Sequence, residues 1–352
     1  MELGVYSFGS LARDPQSGEL VSSAQATRNL LEAIRVADEV GLDYFGIGEH
    51  HTPEMPASAA ATILAAAASV TENITLASAV TVLSTDDPVR VFQQFATVDA
   101  LSNGRAEITA GRGSSTESFP LFGYSLGDYD KLYAEKLDLL LAINANQNVT
   151  WSGSTRPALQ DAPVVPRPDA GSLPIWLGTG GNPSSSVRAG LLGLPVSYGI
   201  IGGAPARFAP LTELYRNTAR ANGMAEADIK VSVGSPGFIG EVGKTARDDF
   251  WPHWHNTMGV IGSQRGFAAP ARLSYDRDAS RMGALFVGSP EEIAERIVAL
   301  HGALGHMRHF FQMDFGDMPQ AQLLRSIELL GTRVKPLVDE AVAETAGQPA
   351  GA

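Results

Sequence analysis

Short apolar runs alternate with amphipathic helical runs along almost the whole chain, and no other property of the sequence narrows its fold as far. Leu3–Ser7 reads as a strand. Ser22–Val40 reads as a helix, with Leu30, Ile34 and Ala37 on one face. Gly41 ends it, and Tyr44–Gly48 follows as a second strand. The spacing next predicts an alanine-rich helix over Ala57–Val70 and a strand over Thr75–Val82. Asp86-Asp87-Pro88 then supplies an N-cap and a first-turn proline for a helix running to about Ser102. A strand at Ala106–Ala110 and a helix at Tyr129–Asn144 continue the pattern. The rhythm breaks over Asn148–Leu173, where a small hairpin is expected around Val149–Gly153. It resumes with strands at Ile175–Gly178, Val196–Ile201 and Ile229–Gly240, separated by helices at Ser184–Leu192 and Ala206–Asn222. After a second break over Trp251–Met282 come a helix at Pro290–Leu304, a strand at His309–Met313 and a helix at Gln320–Val342. Strands alternating with helices of this length predict parallel pairing through right-handed crossovers. The fold class expected is α/β: a single (β/α)8 barrel with insertions near 145–173 and 250–283, a doubly wound sheet being the competing architecture. The barrel domain is expected over 1–342, with 343–352 as a flexible tail.

Composition bounds the functions open to such a fold. The 352 residues carry a formal charge of −12, which argues against nucleic acid because phosphate binding needs clustered Lys and Arg. No apolar run approaches the length of a membrane span, and the first residues show no basic and apolar leader pattern. With no cysteine in the chain, thiol catalysis, thiolate metal sites and disulfides are excluded, and a cytoplasmic location is the expectation.

Three clusters carry chemistry. Glu49-His50-His51 closes an apolar strand, at the end of a barrel strand where side chains line the pocket. Two readings stand: a proton-transferring imidazole held by a carboxylate, or a rim ion pair with satisfied histidines. Gly111-Arg112-Gly113-Ser114-Ser115 sets a guanidinium between glycines after the fourth strand, suited to a phosphate or to an ordinary turn. Gly178–Ser186 is a glycine- and serine-rich approach to a helix N-terminus, where free N–H groups favour an anion; Pro183 breaks the GxGxxG pattern. A metal reading would have to draw on His253, His255, His301, His306 and His309, which lie in the insertion or on helical stretches, and no metal is expected. The aromatic and basic segment Trp251–Met282 reads as a lid or as a subunit contact.

Set together, LDYFGIGEHH, ITLASAVTVLSTDDPVRVFQQFATVDALSNGRAEITAGRGS, FPLFGYSLGDYDKLYAEKLDLLL, PIWLGTGGNPSSSVRAGLLGLP and FVGSPEEIAERI resemble the bacterial luciferase-like flavin monooxygenases, in the family's order and over most of the barrel. The resemblance implies an enzyme that uses reduced FMN and O2 to oxidise a small organic substrate. The alternatives are an F420-dependent hydride-transferring oxidoreductase and a non-catalytic flavin-binding paralogue. By the resemblance His50 is the catalytic histidine and Glu49 lies by the flavin; no role follows for His51. Arg112 and Ser185 match phosphate contacts, with Gly180, Gly181, Ser184 and Ser186 in the neighbouring loop. Ala79-Val80 falls where relatives carry a non-proline cis peptide against the flavin ring. The Glu-His-His form resembles the FMN branch, while Gly111 stands where luciferases carry a reactive cysteine. Reduced flavin from a separate reductase and a homodimer through helices two and three, the second being Ala57–Val70, complete what the resemblance implies.

Overall fold

The computed structural model describes residues 1–113 and 116–347. Its helices begin and end where the sequence places capping chemistry. Helix α1 (Ser23–Glu39) starts at Ser22, whose side chain accepts the Gln25 N–H. Helix α2 is Ala60–Ala68. In α3 (Pro88–Ser102) the Asp87 carboxylate accepts the Val89 and Arg90 N–H groups, and Asn103 in the left-handed region ends the helix. Helices α4 (Tyr129–Ala145), α5 (Pro183–Leu191) and α6 (Ala209–Ala221) follow.

Eight parallel strands lie between and around these helices: β1 (Glu2–Ser7), β2 (Tyr44–Ile47), β3 (Thr75–Ser78), β4 (Ala106–Gly111), β5 (Ile175–Thr179), β6 (Val196–Gly199), β7 (Val231–Ile239) and β8 (Arg308–Gln312). Each pairs with the next, β6 pairs with β7, and β8 returns to β1 with Glu2 opposite Arg308 and Tyr6 opposite Gln312, so the sheet closes on itself. The chain is therefore the barrel that the alternation predicts, not an open doubly wound sheet.

Strand periodicity divides the core in two. Leu3, Val5, Phe45, Ile47, Leu76, Ile108, Ile175 and Leu177 face outward into the large apolar layer beneath the helices. Tyr6, Tyr44, Ala77 and Phe310 face inward and fill the barrel. At the bottom Arg308 bonds Glu2 at 2.5 Å and Glu107 at 2.6 Å, beneath the rings of Tyr44 and Trp176, which closes that end with a charge network. The opposite, C-terminal end is left for a ligand.

Three expectations need adjustment. The alanine-rich helix is shorter than Ala57–Val70: Ala57–Ala59 form an irregular approach in which the Ser58 N–H turns back to the Pro56 carbonyl, and the helix ends at Ala68. The second insertion is largely helical: α7 (Gly243–Arg265) runs through Pro252 and is followed by α8 (Arg272–Asp278), and the buried aromatics Phe250, Trp254 and Tyr275 anchor the pair. Helix α9 (Pro290–Leu304), with its Ser289/Glu292 capping box, then leads to β8. After α10 (Gln320–Leu329), α11 spans Lys335–Gly347, past the boundary expected at 342, since this alanine- and glutamate-rich segment favours helix. The remainder of the expected tail, 348–352, lies outside the described residues. The first insertion holds the expected hairpin, Asn148–Trp151 against Leu159–Pro163. Among the described residues no helix is long and apolar enough to cross a membrane.

Candidate active site

A cavity of about 320 Å³ opens at the C-terminal rim. Its floor is the barrel-filling pair Tyr6 and Phe310, packed edge to face at 5.3 Å, and its walls come from the loops after β1, β2, β3, β4 and β5. Glu49, His50, His51, Ala79, Val80, Arg112 and Gly180 all line it. Gly181, Ser184, Ser185 and Ser186 stand behind Gly180 on the same loop and the first turn of α5.

The loop after β2 turns its three titratable residues to different tasks. Alternation along the strand continues into it, so His50 follows Tyr44, Gly46 and Gly48 toward the barrel axis while Glu49 faces β3. One Glu49 oxygen lies 2.9 Å from His51 Nε2 and the other accepts the Val82 N–H at 2.9 Å. The Glu49 backbone N–H donates to the Val80 carbonyl. Glu49 and His51 thus hold the segment after β3, in which the Ala79-Val80 peptide is cis, as the resemblance implies. His50 is placed otherwise. Its Nδ1 lies 2.8 Å from Glu117 Oε1, and its ring meets Phe8 edge to face at 4.5 Å. Among the described residues Nε2 has no hydrogen-bond partner.

Val80 explains why residues 111 and 178 are glycines. A Cβ on Gly111 would stand 2.3 Å from Val80 Cγ2, and one on Gly178 would stand 2.8 Å from Val80 Cγ1. The two bare positions form the notch that seats Val80, so a cysteine at 111 does not fit beside it.

The anion side is partly committed within the chain. Arg112 pairs with the exposed Asp130 at 3.0 Å and lies over the Tyr129 ring. Ser184 gives both its N–H and its hydroxyl to Asn182, and the Ser186 hydroxyl bonds Tyr198 at 2.7 Å in the core. That leaves Ser185 as the hydroxyl of this turn without such a tie among the described residues. Ser114 and Ser115, expected beside Arg112, lie outside the described residues. The remaining histidines are spoken for separately: His253 by Asp317, His255 and His301 by backbone carbonyls, and His306 by His309. Among the described residues no three His, Asp or Glu side chains gather as a metal-holding group.

Sequence reasoning missed Glu117 and Ser118. Both line the cavity, from the turn that follows β4. Burial raises the Glu117 carboxyl, but hydrogen bonds from His50 and from backbone N–H groups outweigh it and hold the group below the usual carboxylate range. Ser118 is 2% exposed, and among the described residues its hydroxyl has no partner. The signal available in the sequence was an acid six residues beyond the end of β4, on the wall that faces His50.

A closed parallel barrel whose C-terminal mouth gathers imidazole, carboxylate, guanidinium and bare backbone is the architecture of an enzyme. Residues 1–307 match the model of the luciferase-like monooxygenases, and the chain belongs to that family. In fold it is similar to the monooxygenase RslO1 from Streptomyces bottropensis, with a TM-score of 0.81 and 22% identity over 96% of this chain and 99% of that one. It is likewise similar to the oxygenating constituent of 3,6-diketocamphane monooxygenase from Pseudomonas putida, a type II Baeyer-Villiger enzyme in complex with FMN; there the TM-score is 0.74 and the identity 21%, over 96% and 98% of the two chains. In sequence, an F420-dependent glucose-6-phosphate dehydrogenase from Beutenbergia cavernae is 34% identical over 176 residues, 48% of this chain and 51% of that protein.

Proposed function

We propose that the chain is a flavin-dependent monooxygenase that uses reduced FMN and O2 to oxidise a small organic molecule. The observation that carries the reading is the gathering of His50, Glu49, the cis Ala79-Val80 step, Arg112 and Gly180 around one cavity. The residues suit a flavin. Gly180 presents bare backbone, and among the described residues no atom beyond its chain neighbours lies within 4 Å of where a Cβ would stand and the buried Ser118 hydroxyl lacks a partner, which a heteroaromatic ring could supply. Reduced FMN, when bound, supplies the electrons that activate oxygen.

The chain's own part is binding, orientation and proton management. Arg112, Ser185 and the approach Gly180–Ser184 hold the phosphate, Arg112 exchanging the solvent-exposed Asp130 for it. Ala79 and Val80, fixed by Glu49, form the surface against which the ring lies. His50 holds or accepts a proton at Nε2. Phe8, Tyr6 and Phe310 keep that side of the cavity apolar and exclude water. A separate reductase delivers the reduced flavin. A second copy of the chain packs on α2 and α3, beside the exposed Leu101 in the last turn of α3 and the exposed Val70 just past the end of α2.

F420 is the second reading, favoured by the 34% identity to an F420-dependent dehydrogenase over about half the chain. Titrating the apoprotein with reduced FMN and with reduced F420, then mixing rapidly with oxygen, separates them. Tight binding of FMN with substrate-dependent oxygen consumption is expected. Preference for F420 with no oxygen uptake would establish hydride transfer, and failure to bind either would remove the cofactor assignment.

A further inference from the structure

Glu117 reaches His50 from the other side of the cavity mouth, across 67 positions of sequence, and its Oε1 lies 2.8 Å from Nδ1. The two side chains are 25% and 12% exposed, so the contact is shielded without being sealed. The carboxyl is held below its usual range and is ionised at neutral pH. An ionised carboxylate only accepts, so the hydrogen of this bond sits on Nδ1, and the neutral form of the ring is the one with its lone pair on Nε2. Phe8 packs edge to face on the same ring and limits its rotation.

The other charged and titratable groups of the cavity are engaged elsewhere. Glu49 is bonded to His51 and to the Val82 N–H, and Arg112 to Asp130. Burial raises the phenols of Tyr6 and Tyr129, which stay neutral. Among the described residues none of these groups bonds to the His50 ring, and Glu117 is the partner that decides its tautomer.

We propose that Glu117 is a positioning residue for the reaction: it fixes the His50 proton on Nδ1, presents Nε2 to the cavity as an acceptor, and stabilises the imidazolium once Nε2 has taken a proton. His51, by contrast, is the partner of a carboxylate that fastens backbone. The inference rests on the proposed role of His50, yet the state of the ring can be read without any flavin.

The test begins with nitrogen NMR of histidine-labelled apoprotein. The wild type should show His50 as the Nδ1–H tautomer, and Glu117→Ala should move it largely to Nε2–H. Glu117→Gln, whose amide oxygen still accepts, should keep the tautomer but move the midpoint of the His50 ring titration to lower pH. In turnover, Glu117→Ala should lose roughly 10- to 100-fold in kcat with the KM for reduced flavin changed by less than about threefold. Added to His50→Ala, the same change should cost nothing further. An unchanged tautomer in Glu117→Ala, or losses that multiply in the double variant, would overturn the proposal. Should Glu117→Ala fail to fold, an unmoved titration midpoint in Glu117→Gln overturns it instead. If the protein binds no flavin, the monooxygenase reading falls while the tautomer result still decides the role of Glu117.

Discussion

Two pairs of histidines sit in this barrel under opposite conditions. At the rim, His50 and His51 each face a carboxylate, at 2.8 and 2.9 Å, beside an open cavity. In the barrel wall, at and just before β8, His306 and His309 are fully buried and bond each other, Nε2 to Nδ1 at 3.3 Å. His309 stacks on Phe311 at 4.5 Å and meets Phe286 edge on, and among the described residues His306 Nδ1 and His309 Nε2 have no partner. Burial drives the wall histidines down, His309 to about 3, so both are neutral packing groups. An imidazole becomes chemically useful where a carboxylate steadies it and a ligand can reach it. The wall pair has neither.

The sharpest break between the two regions lies in turnover. His50→Ala should slow oxidation of substrate roughly 100- to 1,000-fold while leaving reduced-flavin affinity within about threefold, measured by steady-state kinetics and flavin titration. His309→Phe, which keeps the ring stack, should leave turnover within about twofold. Equal losses in the two variants would show that the rim histidine acts through the fold and not through the reaction.

Next in size is the notch that shapes the rim. Gly111→Ala puts a methyl group 2.3 Å from Val80 Cγ2, so Val80 and the cis segment must shift. Flavin affinity should fall about tenfold or more, with a stability loss of about 1–3 kcal/mol from overpacking. Isothermal titration and thermal melts measure the two effects. Unchanged flavin affinity would detach the Val80 surface from the cofactor.

Acid separates the regions in a third way. The folded-state value of His309 lies near 3, below the ordinary histidine value, and His306 is also lowered. Below about pH 6.5 the unfolded chain takes protons at these positions while the folded chain does not, so stability falls with pH by up to about 1.4 kcal/mol per pH unit for each histidine. Glu117 and Asp317 have lowered carboxyl values, so their stabilisation is present above the ordinary carboxylate range and is lost only as pH falls through their lower folded values. His309→Phe should therefore flatten the denaturation midpoint between pH 6.5 and about 4. A His309→Phe curve parallel to wild type would show that the wall pair is not what resists acid.

Much of this was legible in the sequence because it rests on local signals. The barrel follows from strand–helix alternation, the end of α1 from Gly41 and the start of α3 from Asp87 and Pro88, and the rim triplet from polar groups closing an apolar strand. The pairing within the triplet was not legible. Which carboxylate each histidine would find depends on a turn some 67 residues away for His50 and on a hydrogen bond two residues away for His51. The serines of the α5 approach read alike in sequence, yet one is committed to Tyr198 and another to Asn182, because the helix turns each to a different side. Helix α7 read as a loop because Pro252 and the crowded aromatics resemble irregular structure, whereas burial of Phe250 and Trp254 holds it helical.

The smallest effect expected belongs to Ser118, and it bears on the rim half of the comparison. A hydroxyl that is 2% exposed and has no partner among the described residues is a liability by itself and an asset where a ligand completes it. Ser118→Ala removes the hydroxyl with little change in volume. The apoprotein should then melt at the wild-type temperature or up to about 1 kcal/mol more stable. Affinity for reduced flavin or for substrate should weaken by about three- to tenfold, the worth of one neutral hydrogen bond. The orphaned nitrogens of the wall pair carry the opposite expectation: filling His309 with phenylalanine should change no ligand affinity at all. If Ser118→Ala alters neither affinity, its hydroxyl belongs with the wall histidines as a tolerated buried group, and the ligand side of the cavity is confined to His50, Val80 and the anion loop.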